Sequence, residues 1–225
     1  GDVYKRQAKD GEEGFPGNIT CKVLMKLTDD NAIDIQYEAE TDKPTIVNMT
    51  NHSYFNLDGD PSKSNSDYLL TIDADAYTPV DSTFMTTGEI VSVEGTDMDF
   101  RTPTAVGARI DNDFEQLKNG KGYDHNWVLN TKGDVTRPCA TLESPSTGIV
   151  LDVYTNEPGI QIYAGNFLDG TLTGKKGIVY GHRASVCLET QKYPDTPNKP
   201  EWPSALLKPG EKYDSHCIYR FSVKK

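Results

Sequence analysis

Hydrophobic and polar residues alternate along the first patterned part of the chain. Apolar side chains occupy every second position from Ile19 to Leu27, and the same period returns from Ile33 to Ala39 after the turn residues Asp29–Asn31. A period of two places one face of a strand in the core and the other in water. The pattern therefore predicts a two-stranded hairpin with one wet face, which ends at Pro44.

Short apolar segments separated by Gly, Pro, Asn and Asp follow the hairpin to the C-terminus. No segment keeps the 3.6-residue period of a helix, and only Thr104–Leu117 could hold short helical turns. Many short strands without crossover helices are typical of antiparallel sheets. We therefore expect an all-β fold, a large antiparallel β-sandwich, whose further strands lie near Thr45–Thr50, Tyr68–Asp73, Glu89–Val93, Asn126–Leu129, Ala140–Glu143, Ile149–Thr155, Ile160–Gly165, Ser185–Thr190 and Ile218–Val223.

The chain divides into two unequal parts. Residues 1–10 show no periodicity, and we interpret them as a non-native or disordered start. Residues 11–225 contain no repeat and no low-complexity linker, so they are predicted to form one β-sandwich domain. Two of its connections, Asn56–Asp67 and Asp169–Arg183, are long, and long ordered loops on a β scaffold often carry the functional site.

Charge and composition exclude several classes of function. The 225 residues include 34 acidic and 23 basic ones, for a net charge of −11. Such a surface repels phosphate backbones, so we expect no nucleic-acid partner. No apolar run exceeds three residues, which argues against a membrane-spanning helix or a signal-peptide core. The four cysteines are scattered and show no C-x-x-C spacing, which indicates free thiols in a reducing compartment, although two could pair. We therefore expect a cytoplasmic protein, or a periplasmic or secreted one if a leader was lost with the N-terminus.

Polar residues beside predicted strands are the first candidates for chemistry. His52 lies among small and amide side chains in Asn48–Leu57. Asp124 and Trp127 together suit a sugar, because a carboxylate accepts hydroxyl hydrogen bonds and an aromatic face packs on pyranose C–H groups. Gln161 sits on an otherwise apolar strand and could line a cavity. Each also has an ordinary structural interpretation: a surface histidine, a turn with a core tryptophan, and a satisfied buried amide.

Glu189 is the candidate for which we favour a function. It directly follows the apolar residues Val186–Leu188 on a predicted strand. Burial of a carboxylate there is unfavourable unless it is paired with a charge or has a function. Burial would raise its pKa and suit it to act as a general base. The four histidines show no ligand spacing, and no nucleophile elbow, P-loop or dinucleotide fingerprint occurs, so we expect no metal site and no cofactor.

Several segments in order together resemble the aldose 1-epimerase family, from about Asp10 to the C-terminus. Six ordered motifs are far more specific than any one of them. The residues that carry the likeness are Gly11–Asn18, Asn51–Leu57, Gly122–His125, Gly165–Gly170, Cys187–Gln191 with Pro194-Asp195 and Pro197-Asn198, and Leu207–Glu211.

The resemblance implies a large antiparallel β-sandwich that interconverts the α and β anomers of a free hexose such as galactose or glucose. It assigns Glu189 as the general base that takes the proton from the C1 hydroxyl and His52 as the general acid that protonates the ring oxygen. It assigns Asp124 and Gln161 as ligands of sugar hydroxyls. Because acid and base must reach two oxygens on one carbon, we expect their side chains roughly 5–8 Å apart across one cleft, with Trp127 lining it.

One departure from the family concerns the start of the chain. The family carries an upstream part with a second active-site histidine and an Asn-Arg pair that touches the sugar, and neither is present here. We therefore expect a chain that lacks the family's N-terminal part, with an open pocket, weak or no activity and association through an exposed strand edge. Two alternatives stay open: a hexose-phosphate 1-epimerase, which would need more arginines than the six present, and a non-catalytic carbohydrate-binding β-sandwich.

Overall fold

The computed structural model describes residues 1–224 and consists mainly of strands. One short helix, α1 (Glu115–Gly120), and single 3-10 turns at Glu12–Gly14, Val106–Ala108, Lys175–Gly177 and Thr196–Asn198 complete it. The strands are β1 (Asp2–Ala8), β2 (Ile19–Leu27), β3 (Ala32–Thr41), β4 (Thr45–Ile46), β5 (Leu69–Ile72), β6 (Ala76–Thr78), β7 (Val91–Ser92), β8 (Thr104–Ala105), β9 (Asp124–Val128), β10 (Ala140–Glu143), β11 (Ile149–Thr155), β12 (Gly159–Tyr163), β13 (Cys187–Gln191), β14 (Leu206–Leu207) and β15 (Tyr213–Val223).

Two antiparallel sheets share one hydrophobic core. The larger sheet has eight strands in the order β1-β2-β3-β15-β11-β10-β5-β8, and the smaller has five in the order β13-β12-β9-β6-β7. Leu142 and Leu151 from the first sheet and Ile160 from the second are fully buried in the same cluster. Each such side chain contributes about 1.5–3 kcal/mol through removal of apolar surface from water. The prediction of an all-β antiparallel fold is confirmed.

The period of two located most strands but not their lengths. The predicted hairpin is β2 and β3, paired from Ile19↔Thr41 to Leu27↔Ile33, and β10 and β11 have the predicted bounds. β4 and β7 contain two residues each, and the rest of the two predicted strands is loop. The predicted helical turns correspond to the 3-10 turn Val106–Ala108 and to α1.

The first residues differ from the expectation of a disordered start. Asp2–Ala8 form β1, which pairs with β2 over seven residues. Its side chains are exposed on both faces, so the strand has no hydrophobic alternation to reveal it in the sequence. Backbone hydrogen bonds to β2 define it instead. β1 lies at the edge of the larger sheet, and association through this edge stays a prediction.

The smaller sheet has one apolar and one polar face. On β12, Ile160 and Ile162 point into the core, so Gln161 and Tyr163 point the other way. On β13 the core residue is Leu188, which places Cys187 and Glu189 on the outer face. All four cysteines are free thiols. None of the helices in residues 1–224 has both the length and the apolar character needed to cross a membrane.

Candidate active site

The polar face of the smaller sheet brings the predicted site residues together. Gln161 on β12 lies opposite Glu189 on β13, and Tyr163 lies opposite Asp124 on β9. His52 enters from the loop after β4 and places Nε2 3.4 Å from Glu189 Oε1. This contact is shorter than the roughly 5–8 Å expected for an acid and a base acting on one carbon. Half of the His52 side chain is exposed, so one side of the imidazole faces solvent.

The loop that carries His52 is fixed to β13 on both sides. Asn48 Nδ2 donates to Lys192 O at 2.9 Å, and Lys192 N–H donates back to Asn48 Oδ1 at 3.0 Å. Phe55 and Val186 exchange two backbone hydrogen bonds of 2.9 Å each. His52 therefore lies on a short span between two anchors, and both anchors belong to the segment that carries Glu189.

Burial of the Glu189 carboxyl changes its acidity. The side chain is only about 9% exposed, and desolvation raises its pKa from 4.5 to about 7, with Asp124 adding to the rise and His52 opposing it. The pKa of Asp124 is also raised by burial, while the hydrogen bond from Gln161 and the charge of His52 lower it. Glu189 is thus poised to accept or release a proton near neutral pH, as a general base requires.

Amide side chains orient the Asp124 carboxylate. Gln161 Nε2 donates to Asp124 Oδ1 at 2.8 Å. Gln191 Nε2 lies 3.3 Å from Gln161 Oε1 and 3.4 Å from Asn126 Oδ1. This chain of hydrogen bonds fixes which end of each amide is the donor, so the site presents a defined pattern of acceptors and donors to sugar hydroxyls.

Two of the motifs meet to position β9. Asn166 Nδ2 donates to Tyr123 O at 2.9 Å, just before Asp124. Gly122 has φ +122°, and a Cβ there would lie 2.3 Å from Asn166 Oδ1, so only glycine fits this approach. The contact holds the start of β9 against the loop after β12 and so sets the place of Asp124.

The prediction that Trp127 lines the cleft is wrong. Trp127 is fully buried, and its indole N–H donates to Met98 O at 3.0 Å inside the core. The reason is strand parity, because Trp127 is three positions from Asp124 and so lies on the opposite face of β9. His125 is on that core face as well, and it too is fully buried.

A row of aromatic side chains beside His52 was missed in the sequence. Tyr54 and Tyr163 lie 5.1 and 6.0 Å from the His52 ring, measured between centroids, and Phe167 stacks on Tyr163 at 6.1 Å. Tyr54 and Phe167 are each 51% exposed. The sequence signal that could have indicated this row is that Tyr163 shares a strand face with Gln161. These rings can pack on the apolar face of a pyranose in the role expected of Trp127.

The raised pKa of Glu189 predicts a pH-dependent loss of stability. Folded Glu189 keeps its proton up to about pH 7, whereas the unfolded chain releases it near 4.5, so raising the pH through this window favours unfolding. Glu189→Gln removes the titration. We expect the variant to be more stable than the unsubstituted chain by roughly 1–3 kcal/mol at pH 8 and nearly equal to it at pH 4.5. Urea unfolding at both pH values measures this, and an equal difference at the two pH values would contradict it.

Fold and site together define a β-sandwich of the galactose mutarotase-like class. The family model for aldose 1-epimerases matches residues 2–220, and the chain belongs to this family. It is 45% identical over 224 residues to human galactose mutarotase and 42% identical over 221 residues to the aldose 1-epimerase of Escherichia coli K12. These alignments cover 99% and 97% of the chain, and the chain spans 63% of each relative's length.

Solved structures show the same likeness. The aldose epimerase homologue from C. elegans superposes with a TM-score of 0.88 at 30% identity, covering 99% of this chain and 66% of that one. The galactose 1-epimerase from Lactobacillus acidophilus NCFM superposes with a TM-score of 0.85 at 31% identity, covering 99% of this chain and 63% of that one.

Proposed function

We propose that this chain carries a mutarotase site that interconverts the α and β anomers of a free hexose, galactose or glucose. The observation that supports it best is the contact between His52 Nε2 and Glu189 Oε1, at 3.4 Å, on a sheet face rich in hydrogen-bonding groups. Both the curated relatives named above and the family description are consistent with this reaction. A binding module would need the polar face but not an acid and a base side by side.

The proton transfers follow from the chemistry of the substrate. Glu189 takes the proton of the C1 hydroxyl while His52 donates a proton to the ring oxygen, and the C1–O5 bond breaks to give the open aldehyde. Rotation about C1–C2 then presents the other face of the carbonyl. The hydroxyl returns its proton to His52 as it attacks C1, and protonated Glu189 gives its proton to the new C1 oxygen. His52 and Glu189 are then back in their starting protonation states, and the sugar has been neither oxidised nor reduced.

Substrate contacts are assigned from the polar face. Asp124 accepts hydrogen bonds from sugar hydroxyls, and Gln161 presents its amide beside it. Tyr54, Tyr163 and Phe167 offer aromatic surface to the C–H face of the ring. These contacts hold C1 against His52 and Glu189, and correct placement alone is worth on the order of 100-fold in rate.

A hexose-phosphate substrate is less well supported. It would need an arginine free to bind the phosphate. Arg183, which contacts Asn166 beyond β12, is held by Asp111 at 2.9 Å and is only 11% exposed. Polarimetry distinguishes the two substrates. With protein at high concentration, we expect faster mutarotation of freshly dissolved α-galactose and no acceleration for glucose 6-phosphate. Acceleration for the phosphate alone would contradict the proposal.

Asp124→Ala is expected to weaken sugar binding far more than it disturbs the fold. Loss of a charged acceptor that bonds a substrate hydroxyl removes about 1.5–3 kcal/mol, so KM for galactose should rise roughly 10–150-fold. Asp67→Ala is the matched control, because Asp67 is an exposed carboxylate in a loop. An unchanged KM in Asp124→Ala would exclude this residue as a ligand.

A further inference from the structure

Three side chains of different chemistry place metal-ligating atoms together on the polar face of the smaller sheet. A nitrogen of His52, the sulfur of Cys187 and a carboxylate oxygen of Glu189 all lie within 4.8 Å of one another. We propose that these three residues form a binding site for a thiophilic divalent cation, Zn²⁺ being the best fit, and that the bound cation blocks the cleft. Zinc binding itself does not rest on the proposed function, whereas inhibition by zinc does.

The distances suit a tetrahedral ion. Zinc bonds of about 2.0–2.2 Å to nitrogen and oxygen place those two ligand atoms roughly 3.4 Å apart in a tetrahedron. The observed separation of His52 Nε2 and Glu189 Oε1 is 3.4 Å. The sulfur of Cys187 lies within 4.8 Å of both atoms and needs about 1 Å of movement to complete three corners. Solvent can take the fourth.

The three ligands differ in mobility in a way that permits entry. Cys187 and Glu189 lie two positions apart on β13, share one face and are fixed by pairing with β12. Both are buried, with Cys187 inaccessible and Glu189 7% exposed. His52 covers them from an exposed loop position. A cation can therefore reach the sulfur when the imidazole turns outward, and the imidazole then closes on it as the third ligand.

Charge and protons balance on binding. A thiolate and a carboxylate neutralise the two positive charges of Zn²⁺, and the neutral imidazole adds none. The Cys187 thiol proton passes to solvent as the Zn–S bond forms. The sequence offered no hint of the site, because His52 lies 135 positions from Cys187 and no local spacing exists.

Cobalt is the probe that tests the site without reference to activity. Titrating metal-free, reduced protein with Co²⁺ should give one ion per chain, visible bands of a four-coordinate centre and a thiolate-to-cobalt absorption in the near ultraviolet, all removed by excess Zn²⁺. Cys187→Ala should lose the thiolate band. Cys21→Ala is the matched control, because Cys21 is the more exposed thiol outside the site, and it should keep the band.

A second variant keeps the test decisive if removal of the buried thiol unfolds the chain. His52→Ala changes an exposed side chain and should weaken Co²⁺ binding by at least about 10-fold, since even indirect partners of a ligand contribute roughly 10–100-fold. A wild-type titration without a thiolate band, or a band that is lost in Cys21→Ala, overturns the site. If cobalt binds as expected but zinc does not slow mutarotation, the cation site stands, whereas blocking by the cation and the assignment of His52 and Glu189 as the acid and base are overturned.

Discussion

Glu189→Gln is expected to lower the kcat of galactose mutarotation by at least roughly 100-fold, and so to bring the rate close to the spontaneous background. A general base contributes about 10²–10⁴-fold, and glutamine keeps the shape of the side chain without accepting the C1 proton. Since binding uses Asp124 and the neighbouring amides, we expect KM to change little. Polarimetry of freshly dissolved α-galactose gives both constants.

An exposed glutamate provides the control for this change. Glu94 lies at the surface in the loop after β7, so Glu94→Gln makes the same chemical change away from the cleft and should keep the normal rate. A full rate in Glu189→Gln would show that another group takes the C1 proton. Equal losses in both variants would point to a general effect of lost charge instead.

Breaking the ion pair of Glu157 and Lys192 is expected to be the largest single effect on stability. Glu157 is 2% exposed, and Lys192 Nζ donates to both of its oxygens at 3.1 and 3.3 Å. Glu157→Ala leaves a mostly buried ammonium without its partner, and such a loss costs about 3 kcal/mol or more. The hydrogen bonds between Lys192 and Asn48 use the Lys192 backbone, so the loop that carries His52 should keep this anchor. Urea unfolding measures the loss of stability.

The double variant Glu157→Gln/Lys192→Met tests whether the loss of stability comes from leaving one charge unpaired. With both charges removed no uncompensated ion remains, so the double variant should be less destabilised than Glu157→Ala. The matched exposed pair is Lys212 with Glu38, at 2.7 Å, and removing Glu38 there should change stability far less than Glu157→Ala does, because water screens an exposed pair. A double variant at least as destabilised as Glu157→Ala would show that the cost does not come from an uncompensated charge.

Period-two patterning made most of the fold predictable, because each inner strand buries one face. It did not reveal β1, whose side chains are exposed on both faces and whose only signal is backbone pairing. The same parity rule, applied strictly to β9, would have placed Trp127 on the core side from the outset. Asp124 and Trp127 are close in sequence, but they lie on opposite faces of β9.

Local sequence patterns do not predict contacts between segments that are distant along the chain. His52 and Glu189 were proposed from residue chemistry and family likeness, but their 3.4 Å separation depends on the Phe55–Val186 and Asn48–Lys192 contacts. Glu157, in the turn between β11 and β12, likewise pairs with Lys192, just after β13, and neither segment has a sequence pattern that predicts the pair. Such pairs are set by register and loop path, which local periodicity does not determine.

The rate of α-galactose mutarotation in the chain and in its His52→Ala/Glu189→Gln double variant tests the central claim most directly. We expect the chain, at high concentration, to approach the equilibrium rotation faster than buffer alone does. We expect the double variant to match the buffer rate while it still unfolds cooperatively in urea. Because acid and base act as a unit, each single variant should lose nearly as much as the double. A double variant that mutarotates galactose as fast as the unsubstituted chain would show that His52 and Glu189 are not the acid and base.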